Sequence, residues 1–63
     1  MIDIRRQVLR KLEERGLPAL SLANRAEREG ICSKALVHDW LNYGCPMEHA
    51  MEVRMLSLMD SYG

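Results

Sequence analysis

The reading of this chain turns on Ile31 to Gly44, Ile-Cys-Ser-Lys-Ala-Leu-Val-His-Asp-Trp-Leu-Asn-Tyr-Gly. Ser33 is a helix-start residue, because its hydroxyl can accept from backbone N–H groups of a first turn. Gly44 is a helix-stop residue, since glycine takes the left-handed backbone that closes a helix. At about 100° per residue, Leu36, Val37 and Trp40 share one side of this helix, with Leu41 at its flank. Lys34, Ala35, His38, Asp39 and Asn42 share the other. The first side is expected in the core and the second forms a short polar ridge. A short helix carried this way has the shape that a DNA major groove accepts.

Outward from that stretch the pattern stays helical. A first helix is expected from Ile2 or Asp3 to Arg15, with Ile4, Val8, Leu9 and Leu12 as its apolar stripe and Gly16 as its stop. Asp3 suits the positive end of that helix. Leu17-Pro18 opens a second helix, in which Ala19, Leu22, Ala23 and Ala26 lie within about 100° of one another. Those small residues let a neighbouring helix approach closely, and Gly30 marks the end or the turn beyond it. Cys45-Pro46 is expected to start a last helix, running from about residue 46 to about residue 60.

Composition bounds the class. Sixty-three residues make one domain, spanning 1–63, near the lower limit for folding without disulfides or metal. Phe is absent, β-branched residues are sparse, and Leu, Ala, Met, Glu and Arg abound, which favours an all-α fold of four to five helices. Charges sit where a signal peptide needs its apolar segment, and no apolar run reaches the ~18 residues of a membrane span. Two Cys are too few for a disulfide scaffold, so a reduced, cytoplasmic protein is expected. Net charge is zero, but residues 1–34 carry +3 and residues 35–63 carry −3. Arg5, Arg6, Arg10, Lys11 and Arg15 could reach phosphates or simply line a solvated helix face.

Two helices joined by a turn, the second with an outward polar ridge, resemble the helix-turn-helix of the lambda-repressor-like (Cro/Xre) DNA-binding family. Gly16-Leu17 followed by Leu22-Ala23 resembles that family's entry into its first motif helix. Ser33, Val37, Trp40, Leu41 and Asn42 resemble its recognition helix, and Pro46 the segment that follows. The motif covers about residues 18–42. The spacing from Ala23 to Ser33 is longer than the family's by close to one helical turn, which leaves the buried face of helix two in phase. The resemblance implies a sequence-specific transcriptional regulator of phage or bacterial repressor type, with double-stranded DNA as partner. It implies base contacts from Lys34, Ala35, His38 and Asn42. It further implies phosphate contacts from Arg25, Arg28, Ser33 and Tyr43.

The last helix is apolar on two sides. Met47, Met51, Met55 and Met59 recur every four residues, joined by Leu58 and Tyr62, while Ala50, Val53 and Leu56 form a second strip. One strip can face the core; the other asks for a partner. The methionine strip, Met47, Met51, Met55, Leu58 and Met59, is expected to form a homodimer interface unless the C-terminal segment covers it. A dimer would double the DNA contacts and place half-sites about one helical turn apart. Cys32, His38, Cys45 and His49 match no zinc spacing, so no metal is expected. No cofactor, small-molecule substrate, membrane partner or enzymatic pairing is expected either. The competing class is a protein-interaction module that uses the Met-rich helix or the ridge.

Overall fold

A computed structural model describes residues 3–61. Four helices follow one another: α1 (Ile4–Glu14), α2 (Ala19–Arg28), α3 (Lys34–Tyr43) and α4 (His49–Ser61). The described residues contain no strand. Ile2 and Tyr62, placed by the sequence at the two ends of the helical pattern, lie outside them. α2 packs most extensively on α3, and α1 on α4, so two helix pairs close over one core.

Each helix stops or starts for a local reason. Asp3 caps α1 with a side-chain oxygen that accepts from the Arg6 N–H. At the other end, Leu17 N–H returns to Leu12 C=O and Gly16 N–H to Glu13 C=O, a paired closure that satisfies two free carbonyls. α2 closes the same way: Ile31 N–H bonds Ala26 C=O and Gly30 N–H bonds Glu27 C=O. Gly30 has φ +73°, a backbone that a side chain would strain, which makes this turn a glycine turn. Pro18 stands just before α2 in extended backbone rather than inside its first turn.

α2 runs on through Ala26 to Arg28. Leu22, Ala23 and Ala26 are all fully buried. They share one face of α2 at helical spacing.

Two expectations change. α4 begins at His49, and Cys45–Glu48 are not helical. Glu48 C=O accepts from Glu52 N–H at 2.9 Å. Pro46 disfavours helical backbone at the residue before it, and in the short non-helical run Met47 packs against the core before α4 starts. Leu36, expected inside, is 36% exposed. α3 buries Val37, Trp40 and Leu41, whose mean direction on the wheel lies about 90° from Leu36. The helix is therefore rotated so that Leu41 enters and Leu36 leaves.

The larger correction concerns the methionine strip. Met55 and Met59 are fully buried and Leu58 is nearly so, all within the chain's own core. Met47 and Met51 are half-buried. Met55, Leu58 and Met59 are thus not available as a homodimer interface, because α1 and α2 already cover that side of α4. The strip left outward is the other one, with Ala50 exposed and Val53 46% exposed. No helix among the described residues is long and apolar enough to cross a membrane.

Candidate nucleic-acid interface

α3 is clamped on its inner side and capped at both ends. The Ser33 hydroxyl accepts from Leu36 N–H at 3.3 Å. The Glu27 carboxylate, reaching from α2, accepts from Lys34 N–H at 3.0 Å. Gly44, with φ +71°, closes the far end by donating its N–H to Trp40 C=O at 3.1 Å. Beneath, Trp40 is 2% exposed and its indole N–H donates to the Glu52 carboxylate of α4 at 3.3 Å. This satisfies the one polar atom of a ring that is otherwise core.

The outward face is the predicted ridge. Lys34, Ala35 and Asn42 are exposed and His38 is half-buried. On the wheel these four fall within about 100° of one another. His38 Nδ1 lies 3.5 Å from the Asp39 carboxylate, and its ring meets Tyr43 edge-on, 6.0 Å between centroids. Asn42 donates from its amide nitrogen to His38 C=O at 2.9 Å, which leaves the amide oxygen pointing elsewhere as an acceptor. Tyr43 is 74% exposed at the end of the ridge. Donors, an acceptor, a methyl and a cation are therefore presented along two helical turns.

The predicted phosphate contacts fare differently. Arg28 is exposed beside the turn. Arg25 is half-buried, with Nε 2.7 Å from the Glu29 carboxylate and a second nitrogen 3.4 Å from the Ser61 hydroxyl. It ties the end of α2 to the end of α4. Ser33 is exposed, but its hydroxyl and the Glu27 carboxylate already serve the α3 start, so the usual anion position of a helix N-terminus is filled from within. A phosphate brought there meets a negative charge.

The basic and acidic halves of the sequence also interleave in the fold. Lys11 of α1 pairs with Asp60 of α4 at 3.1 Å. Arg5, offered by the sequence as a phosphate-reaching residue, instead donates from Nε to Trp40 C=O at 2.7 Å and from a terminal nitrogen to Leu41 C=O at 2.8 Å. Sequence reasoning missed this contact although a signal was present. On the wheel Arg5 falls inside the stripe of Ile4, Val8, Leu9 and Leu12, where a solvated cation has no place.

Cys32 is half-buried in the α2–α3 connection, and burial pushes its thiol above the ordinary range, with the Arg54 charge pulling the other way. Cys45 is half-buried beyond α3, and His49 sits 3.7 Å from the Glu52 carboxylate. Among the described residues, no three His, Cys, Asp or Glu side chains gather as a metal site. No family model matches the chain, and no curated protein or solved structure does.

Proposed function

We propose that this chain is a sequence-specific DNA-binding module of helix-turn-helix type, similar to small lambda-repressor-like regulators, that lays α3 in the major groove. The observation that carries the reading is the split character of α3. Val37, Trp40 and Leu41 are locked in the core, while Lys34, Ala35, His38 and Asn42 line the opposite, outward face. Lys34 suits a guanine edge, Ala35 a thymine methyl, and His38 and Asn42 other base-edge groups. Arg28 and Tyr43 are the phosphate contacts retained; Arg25 and Ser33 act within the protein.

With Arg25 and Ser33 engaged within the protein, two of the four phosphate contacts are left, so one copy binds weakly and a pair on a two-fold site supplies the missing contacts. The outward α4 strip of Ala50 and Val53 is the surface left on that helix for pairing. The module acts in transcription regulation, as a repressor.

Amide shifts followed during titration with duplex DNA at two salt concentrations test this. Shifts confined to Lys34–Tyr43 and Arg28, fading as salt rises, are expected. A folded sample with no shifts at low salt sinks the proposal. A second reading, a protein-interaction module on the same fold, draws on the exposed Leu20, Leu36 and Val53 and on the Glu27 charge at the start of α3. In that case the DNA titration is silent and the chain is captured by a protein partner through those apolar residues.

A further inference from the structure

α3 receives one polar side chain from every other helix. Glu27 comes from α2 to its first N–H, Glu52 from α4 to its central indole, and Arg5 from α1 to two carbonyls of its last turn. The Arg5 contact is the most demanding of the three. It spans 35 and 36 residues of chain, is partly buried, and uses two nitrogens of one planar group on two successive carbonyls. Those carbonyls lie at the negative end of the α3 dipole, where a cation is favoured. A guanidinium presents its donors in a rigid fork, so the two bonds set direction as well as distance.

We infer that Arg5 is the positioning residue of the reading helix: its fork on Trp40 and Leu41 sets the angle at which α3 is held against α1, and Arg5 itself touches no DNA. This rests on the proposed DNA-binding reading for its consequence, but not for its geometry. The apolar contacts of Val37, Trp40 and Leu41 keep α3 attached, yet such contacts are non-directional and permit sliding and rotation. Leu36, left on the edge of the buried face, shows how little wheel rotation separates inside from outside. The Arg5 fork at one end and the Glu27 carboxylate at the other remove that freedom. The ridge of Lys34, Ala35, His38 and Asn42 then meets a groove in one orientation.

The test uses the full chain carrying Arg5→Gln or Arg5→Lys, compared with wild type in two measurements. In the first, duplex DNA affinity is followed against salt. A positioning role predicts about a tenfold loss of affinity for Arg5→Gln, the scale of one misplaced base contact, with the slope of log affinity on log salt unchanged. A phosphate-contacting Arg5 instead lowers that slope by about 0.9, and this result overturns the inference.

Arg5→Lys keeps the charge and loses the fork. A loss of affinity there supports the inference, and full wild-type affinity overturns it. In the second measurement, residual dipolar couplings of backbone N–H groups report helix directions in the unbound protein. The couplings of α3 should change relative to those of α1 and α2 in the variants, and unchanged couplings overturn the inference. If wild type binds no DNA, the proposed function falls and the couplings alone decide the role of Arg5. If Arg5→Gln does not fold, Arg5→Lys, which retains the stem and charge, decides it.

Discussion

Replacing Met55 by Ala separates a core role for the α4 methionines from an interface role. Met55 is fully buried among residues of the common core. Truncation removes three heavy atoms and leaves a cavity that the surrounding helices fill only in part. Such Met→Ala changes cost about 2–5 kcal/mol. Against this, a chain of 63 residues has a total stability of about 3–9 kcal/mol at ~0.05–0.15 kcal/mol per residue. The substitution therefore removes at least about a fifth of the stability, and most of it if the total lies at the low end of that range.

Urea unfolding followed by circular dichroism reads this directly. With a slope of about 1 kcal/mol per molar for a small domain, the midpoint should fall by about 2 M or more. Val53→Ala is the control. Val53 is 46% exposed on the far side of α4, so its truncation should cost within about 0.5 kcal/mol. Sedimentation of the same variants completes the comparison, since Val53 lies on the outward strip of α4 and Met55 does not. If Met55→Ala unfolds as late as wild type, or dissociates a dimer without losing stability, the assignment of Met55 to the core is wrong.

Two further predictions follow from local contacts. Ser33→Ala removes the acceptor for Leu36 N–H and should destabilise the chain by about 1 kcal/mol, with faster hydrogen exchange at Leu36; an unchanged exchange rate refutes the cap. Cys32 has its thiol held above the ordinary range by burial, so its neutral form is the one the fold favours. That contribution is complete below the unfolded-state value and is lost as pH rises through the folded one. Alkylation of Cys32 in the native protein should therefore reach half its maximal rate at higher pH than in the urea-unfolded chain, and equal midpoints refute the shift.

Much of the architecture was legible because it depends on short-range chemistry. Ser33 and Gly44 mark the ends of α3, and Gly16 and Gly30 follow α1 and α2, as caps that act over a few bonds. The face carrying Lys34, Ala35, His38 and Asn42 is legible for the same reason, since helical spacing alone puts them together. What failed were decisions between two surfaces that look alike in one dimension. The two apolar strips of α4 are distinguishable only by which of them other helices cover. Leu36 and Leu41 flank the buried face of α3 almost symmetrically until α2 and α4 set its rotation. Charge was the least legible of all, because Arg5 capping α3, Arg25 bridging to Ser61 and Lys11 pairing with Asp60 each join residues at least 35 positions apart.

The sequence by itself determined the presence of four helices, the caps at Ser33 and Gly44 and the grouping of Lys34, Ala35, His38 and Asn42 on one face, because backbone capping and the helical period act within a few residues. The tertiary structure alone decided which strip of α4 is core, that Arg5 and Arg25 are tied within the fold, and in what direction α3 is held. Those outcomes depend on contacts between helices far apart in the chain, where burial and hydrogen-bond geometry select among faces that composition and period leave equivalent.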